Sequence, residues 1–178
     1  MFRLKKKKGK STIKALKTCF TGHRPKDLPW GYDETKESCI LFKNAMASII
    51  KKSIVNGYTY FISGMAIGID MIAAEIVLEL KATYPDIILE CALPCLNQTA
   101  KWNDESIMRY QNILSLADKV TTVSNALYFN GCMAKRNKYM IDNSHRVIAV
   151  YNGKKSGGTY QTINMAKKAN KEVVIVKP

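Results

Sequence analysis

Three glycine-containing segments, residues 21–25, 63–70 and 152–159, carry the hydroxyl and cationic groups from which phosphate sites are built. The first, TGHRP, offers a turn with free backbone N–H groups and a hydroxyl. Its Arg24 has a guanidinium that can hold phosphate through two parallel hydrogen bonds. A glycine turn before proline is also an ordinary way to end a strand. This segment alone therefore indicates a phosphate loop only weakly.

The second segment, SGMAIGID, is a stronger candidate. We expect Gly64 to allow a left-handed turn and Gly68 a close backbone approach, with a helix beginning there whose free N–H groups attract an anion. Asp70 falls in the first helical turn, where it either accepts a hydrogen bond from a ribose hydroxyl or caps the helix. The spacing is not GxGxxG, so it does not indicate a nicotinamide dinucleotide enzyme.

The third segment, NGKKSGGT, has Gly157 and Gly158, which free the backbone, together with two hydroxyls and two lysines. Such a loop can form an anion-binding nest of backbone N–H groups. The alternative is a flexible turn with solvated lysines. We favour the phosphate site, because all three segments follow predicted strands and converge on one edge of the sheet.

Other polar and aromatic residues admit two interpretations. Arg136 and Asn137 lie on a predicted amphipathic helix, where a solvated basic face is the ordinary explanation. Trp102 and Tyr110 either stack on a base or belong to the core, and His145 is interpreted as structural. The candidate ligand-binding residues are Thr21, Gly22, His23, Arg24, Ser63, Gly64, Met65, Gly68, Asp70, Arg136, Asn137, Ser156, Gly157, Gly158 and Thr159.

Catalytic and metal-binding patterns are not evident in the sequence. No Ser/His/Asp or paired-carboxylate arrangement can be assembled, and the chain has five cysteines without a CxxC pair and only two histidines. Cys91 and Cys95 make a poor metal or redox pair, because three residues separate them and no third ligand is near. We therefore expect reduced, mostly buried thiols, no metal and no cofactor.

The elements that must position these loops alternate along the chain. Short apolar strands are predicted at 13–20, 58–62, 87–93, 119–123, 147–151 and 172–176. Helices are predicted at 34–55, from 70 to about 83, and at 104–117, 131–143 and 158–170. This order is typical of parallel strands with crossover helices. The predicted fold class is α/β: a Rossmann-like, open, mainly parallel sheet with helices on both faces, whose ligands bind at the carboxyl ends of the strands.

Bulk properties constrain the partners. The chain has 178 residues and a formal charge of +14, which favours anionic partners. Residues 1–11 read as a flexible basic arm and residues 12–178 as one domain. No apolar run approaches the roughly 20 residues that span a bilayer, and the basic start is not followed by the apolar stretch of a secretory signal. We expect a cytoplasmic protein without membrane insertion.

The same segments carry a resemblance to a known superfamily. SGMAIGID at 63–70 resembles the SGxAxGID segment of the DprA/Smf DNA-processing proteins, and KRNK at 135–138 resembles their arginine–asparagine helix. SGGT at 156–159 falls where that family has its later glycine loop. Together with TGHRP at 21–25, these segments resemble the short, single-domain YpsA-like branch of the SLOG superfamily over nearly the whole chain after the arm.

The resemblance implies a Rossmann-like sheet whose glycine loops bind a nucleotide or nucleotide-derived ligand, often in a homodimer or higher homo-oligomer. The related LOG proteins are phosphoribohydrolases that use an arginine and a glutamate pair after a PGGxGT loop. Here Gln161 and Thr162 stand where the carboxylates are expected, and neither can stabilise an oxocarbenium-like transition state as a carboxylate does.

Three functional hypotheses follow from the sequence. The first is a sensor, carrier or sequestering module for a nucleotide-derived ligand, such as an ADP-ribose-like or cyclic nucleotide species. The second is a nucleoside monophosphate hydrolase, in which Arg24, Asp70 or Glu75 takes over the lost roles. The third is a single-stranded DNA-binding protein, suggested by the DprA-like segments, the basic arm, Arg136 and Lys138.

Overall fold

The computed structural model describes residues 15–178, which form six strands and five α-helices. The predicted basic arm and the start of the predicted first strand lie outside these residues. The strands are β1 (Leu16–Gly22), β2 (Tyr58–Ser63), β3 (Ile88–Leu93), β4 (Lys119–Thr122), β5 (Arg146–Val150) and β6 (Glu172–Val176). The helices are α1 (Glu37–Val55), α2 (Ile69–Leu80), α3 (Asp104–Leu116), α4 (Cys132–Asp142) and α5 (Gly157–Lys168), with a short 3₁₀ turn at Pro25–Asp27.

The strands form one sheet in the order β4-β3-β2-β1-β5-β6, and every neighbouring pair is parallel. Helices α1, α2 and α3 pack on one face, and α4 and α5 pack on the other. The predicted Rossmann-like α/β fold is therefore confirmed. The chain leaves β1 toward β2 and returns to the other side of β1 as β5, so the switch in strand order falls between β1 and β5.

Two hydrophobic layers hold the sheet between its helices. On one face Phe20 stacks on Phe61, with ring centroids 6.0 Å apart, and Leu89 continues the layer. The neighbouring residues Cys19 and Ile62 face the α4–α5 side. Because successive side chains alternate between faces, strands buried on both sides need the continuous apolar runs seen in the sequence. All five cysteines are buried and free, as predicted.

Helix boundaries differ modestly from the sequence prediction. Helix α1 begins at Glu37 rather than Glu34, because turns occupy the preceding residues and the Glu34 carboxylate contacts Arg109 and Lys43 at 2.7 and 2.8 Å. Helices α2 and α5 end a few residues early, as helix ends often do. Within the described part of the chain, no helix is long and apolar enough to cross a membrane.

Gly68 is a position where the fold requires glycine. Its φ is +103°, and an added Cβ would lie 2.7 Å from the backbone oxygen of His23. Gly153 is a matched control, because its φ is +93° but an added Cβ would meet nothing within 4 Å among residues 15–178. We expect Gly153→Ala to lower the free energy of unfolding by about 1 kcal/mol, from backbone strain, and Gly68→Ala by about 3 kcal/mol or more. Urea denaturation of both variants checks this; equal losses would show that the contact with His23 is unimportant.

Candidate functional site

A cavity of about 370 Å³ opens at the carboxyl ends of β1 and β5, at the switch in strand order. It brings together eleven of the fifteen predicted site residues: Thr21, Gly22, His23, Arg24, Asp70, Arg136, Asn137, Ser156, Gly157, Gly158 and Thr159. Five further residues line it that the sequence analysis did not select: Lys26, Asp27, Ala66, Met133 and Lys154. The first and third glycine segments therefore face each other across the cavity.

His23 joins these two segments. Its Nε2 accepts a hydrogen bond from the backbone N–H of Asn152 at 3.1 Å, and its ring stacks on Tyr151 with centroids 5.9 Å apart. Burial lowers the pKa of His23, because the charged form loses its hydration. The neutral imidazole is therefore the form that holds the loop after β1 against the loop after β5.

The second glycine segment lies mostly behind the cavity wall. Ser63 and Met65 are fully buried, and neither they nor Gly64 and Gly68 line the cavity. The predicted left-handed turn at Gly64 is wrong: the left-handed residue is Met65, with φ +57°. Gly64 has a different constraint, since an added Cβ would overlap the guanidinium of Arg136. The predicted close approach at Gly68 is present against His23.

Arg136 and Asp70 form a buried ion pair in the cavity wall. Arg136 is 4% exposed; its Nη1 lies 3.4 Å from the Asp70 carboxylate and donates to the carbonyl of Gly64. A solvated basic face on α4 is thus wrong for Arg136. Burial raises the pKa of Asp70 and lowers that of Arg136, and each partner's charge opposes the shift. Within the described residues, the buried Nε of Arg136 has no hydrogen-bond partner.

Asp70 stabilises the loop before α2 rather than the helix itself. Its carboxylate accepts from the N–H of Ala66 at 3.3 Å, while Gly68 occupies the N-cap position. The first helical N–H, that of Ile69, points to the backbone oxygen of His23 at 3.4 Å. One N–H group at the start of α2 is therefore occupied by the protein itself, while Ala66 and Asp70 of the same segment line the cavity.

The N-terminus of α5 is open. Ser156 is its N-cap residue but makes no side-chain capping hydrogen bond, and Gly157 begins the helix with φ +86°. Residues 157–159 line the cavity, so the first N–H groups of this helix are available to an anion. An added Cβ at Gly158 would meet nothing within 4 Å in the described part of the chain, so this wall has room for a ligand.

Asn137 positions α4 against α5. Its Nδ2 donates to Thr162 Oγ1 at 2.9 Å, and that hydroxyl donates to the carbonyl of Gly158 at 2.8 Å. The polar face of α4 is therefore partly structural. Its hydrogen bonds fix the helix that carries Arg136 relative to the open end of α5.

The cavity wall is electropositive. Arg24, Lys26, Arg136 and Lys154 supply four cationic side chains, against the carboxylates of Asp27 and Asp70. The nearest contact between Lys154 and Asp27 is 3.8 Å, too long for a strong hydrogen bond. Lys154 lay inside a predicted loop, but the sequence does not distinguish it from Lys155. Met133 lies one helical turn before Arg136, and this spacing alone indicates that the two residues share one face of the helix.

Four other residues named in the sequence analysis lie outside this cavity. Glu75 contacts Arg109 at 2.6 Å on the outer side of α2, so it cannot replace a catalytic carboxylate of this cavity. Trp102 and Tyr110 pack edge to face at 5.4 Å, with Tyr110 in the core. His145 is structural as predicted, since its Nδ1 accepts from the N–H of Lys17 at 2.9 Å. No cluster suited to a metal ion occurs among residues 15–178.

Comparisons with known proteins agree with this architecture. The YpsA family model, described as the YspA SLOG family, matches residues 18–176. UPF0398 proteins of Bacillus cereus strain G9842 and Bacillus thuringiensis strain Al Hakam are each 30% identical over 150 residues, covering 83% of this chain and 80% of theirs.

A solved structure of DNA processing protein A from Helicobacter pylori is also similar. Its TM-score is 0.60 at 20% sequence identity, and the match covers 90% of this chain. That structure was described for a single-stranded DNA binding mode. The present chain spans 64% of that chain, slightly less than two thirds, and the likeness at this identity concerns the fold.

An open parallel sheet with a cationic cavity at its switch point defines a Rossmann-like α/β protein. Within that class, the match over residues 18–176 assigns the family: the chain belongs to the YpsA SLOG family. The resemblance seen in the glycine segments is thereby confirmed.

The lowered pKa of His23 predicts a pH-dependent stability. The unfolded chain takes up the proton first, near pH 6.5, so folding stability is complete above that pH and falls as the pH drops toward the folded-state pKa. The slope from this group is at most about 1.4 kcal/mol per pH unit. In His23→Gln the amide oxygen can still accept from Asn152 but does not titrate. Denaturation between pH 7 and 5.5 should show a loss in the parent protein that this variant lacks; identical profiles would contradict the assignment.

Proposed function

We propose that the cavity binds the phosphate of a nucleotide or nucleotide-derived ligand, and that the protein acts as a sensor, carrier or sequestering module. The observation that carries the proposal is the open N-terminus of α5, at Gly157–Thr159, facing a wall with four cationic side chains. Helix N–H groups and cations together stabilise a phosphate more than either does alone. Family membership supports the same class of ligand.

Each cationic group has a different part in this proposal. Arg24 and Lys154 lie on the two loops that face each other, so they contact the phosphate from opposite sides. Arg136 is almost fully buried and paired with Asp70, so it shapes the cavity wall and does not contact the phosphate directly. Asp27 is 31% exposed at its side chain, against 8% for Asp70, so we assign recognition of a ribose hydroxyl to Asp27. Assembly into a homo-oligomer stays a prediction.

Hydrolysis of a nucleoside monophosphate is the second candidate. An N-glycoside hydrolase stabilises an oxocarbenium-like transition state with carboxylates. Gln161 is exposed, Thr162 is engaged in hydrogen bonds with α4 and α5, and Glu75 pairs with Arg109. Asp27 and Asp70 remain as the carboxylates of the cavity, and Asp70 already neutralises Arg136. These contacts favour binding over catalysis.

Single-stranded DNA binding is the third candidate. It is favoured by the fold shared with DNA processing protein A and by the formal charge of +14. Binding that depends on many phosphate contacts falls steeply with salt, because counterions are released. A single phosphate enclosed by backbone N–H groups is less sensitive. Salt dependence therefore separates the DNA candidate from the small-ligand candidate.

The test is calorimetric titration with inorganic phosphate, ribose 5-phosphate, the four ribonucleoside monophosphates, a cyclic nucleotide, ADP-ribose and a short single-stranded oligonucleotide. Each titration is run at low and high salt, and the mixtures are analysed by mass spectrometry. We expect salt-tolerant binding of at least one nucleotide, which is recovered intact. Release of free base would make the protein a hydrolase, and a salt-sensitive response to the oligonucleotide alone would overturn the small-ligand proposal.

Lys154 and Lys155 provide a matched pair of variants for any nucleotide found in this way. They are neighbours in one loop, both exposed, but only Lys154 lines the cavity. A charge-assisted hydrogen bond is worth about 1.5–3 kcal/mol, so Lys154→Ala should weaken binding roughly tenfold or more. Lys155→Ala should change the dissociation constant less than twofold. Equal effects of the two variants would indicate a general charge effect rather than this site.

A further inference from the structure

A second cavity, of about 560 Å³, lies beside the first at the same edge of the sheet. It is formed by the segments that follow β3 and β4. Met133 on α4 lines both cavities, so one side chain is their shared wall. The lining residues are Asn97, Gln98, Ala100, Lys101, Trp102, Leu127, Tyr128 and Met133.

This second cavity is held open by defined contacts. The N–H of Leu96 donates to the carbonyl of Ala126 at 3.0 Å, and the N–H of Tyr128 donates to Asn97 Oδ1 at 2.6 Å. These two bonds join the loop after β3 to the loop after β4. Trp102 is fixed by its edge-to-face contact with Tyr110. The cavity is therefore part of the folded structure rather than a gap between independent loops.

Gln98 connects the second cavity to the wall of the first. Its Nε2 donates to the carbonyl of Met65 at 2.8 Å, within the buried glycine segment that also contacts Arg136. Its Oε1 is buried and has no hydrogen-bond partner among the described residues. The two cavities are therefore adjacent: Met133 lines both, and Gln98 is bonded to the segment behind the wall of the first.

The chemistry of the two cavities differs sharply. The first is lined by four cationic side chains and the N-terminus of α5, whereas the second presents indole, phenol and aliphatic surface with two amides and one cationic side chain, that of Lys101. Leu127 and Tyr128 are 66% and 61% exposed, so this apolar surface is uncovered within the described residues. A fitting occupant has an anionic end and a flat, weakly polar end, separated by one linking group.

We infer that the second cavity takes the nucleobase of the same ligand whose phosphate binds in the first. The inference rests on the proposed function. A base offers a π face to Trp102 and Tyr128, and its polar edge can accept a hydrogen bond from the Nδ2 of Asn97, whose Oδ1 holds the N–H of Tyr128. The ribose then passes Met133, the residue common to both cavities.

The experiment compares adenosine 5′-monophosphate with ribose 5-phosphate, which has the same phosphate and sugar but no base. Stacking of one base on aromatic side chains is worth about 1–3 kcal/mol. We expect the nucleotide to bind at least about fivefold more tightly than ribose 5-phosphate. We also expect Tyr128→Ala to remove most of that advantage while leaving the affinity for ribose 5-phosphate within twofold of the parent value.

Phe129→Ala is the matched control, because Phe129 is the next residue, is 39% exposed and does not line the cavity. It should leave both affinities unchanged. Fluorescence gives an independent measurement: Trp102 lines the cavity and Trp30 is 1% exposed in the core. The nucleotide should change the emission of Trp102 and ribose 5-phosphate should not, and Trp102→Phe should abolish the change.

Failure of the two proposals is distinguishable. Equal binding of the nucleotide and ribose 5-phosphate, both unaffected by Tyr128→Ala, would overturn the base site and leave the phosphate site intact. No binding of either probe, nor of any other nucleotide in the panel above, would overturn both. A change in oligomeric state on Tyr128→Ala in analytical ultracentrifugation, with nucleotide affinity unchanged, would show that a second copy of the chain covers this surface and would also overturn the base site.

Discussion

The buried ion pair between Arg136 and Asp70 is the interaction on which the geometry of the cavity depends. A buried guanidinium, here 4% exposed, needs a counter-charge and hydrogen bonds: the Asp70 carboxylate supplies the charge and the Gly64 carbonyl accepts from Nη1, while Nε has no partner among the described residues. Removing one partner of such a pair costs about 3–5 kcal/mol, because the other charge is left buried. The pair therefore fixes α4, the end of β2 and the start of α2 relative to one another.

The same pair accounts for a difference between the N-termini of α2 and α5. The loop before α2 contacts Arg136, and the N–H groups of Met65, Ala66 and Ile69 are bonded to Ser63, Asp70 and His23. Within residues 15–178, the N-terminus of α5 has no comparable protein partner: its N-cap side chain makes no capping hydrogen bond and its first residues line the cavity. The glycine segment at 63–70 therefore mainly supports the cavity wall, whereas the segment at 152–159 presents backbone N–H groups to an anion.

Much of the fold was predictable from the sequence, because buried parallel strands need apolar runs and crossover helices need polar stretches between them. The first and third glycine segments were also predictable as neighbours, since strands of one direction end at one edge. The role of Arg136 was not, because its helix has a polar composition and only tertiary packing buries that position. Similarly, Gly64 looked like a turn residue, but its constraint is the guanidinium packed against it.

The central claim is that the open end of α5 binds the phosphate of a nucleotide-derived ligand. The most direct test is an NMR titration of the ¹⁵N-labelled full chain with adenosine 5′-monophosphate, in which ¹H–¹⁵N correlation spectra follow the individual backbone amides. The account predicts saturable shifts that are largest for Gly157, Gly158 and Thr159, because a phosphate polarises the N–H groups that it contacts. Saturable shifts concentrated elsewhere, with these three amides unmoved, would contradict it.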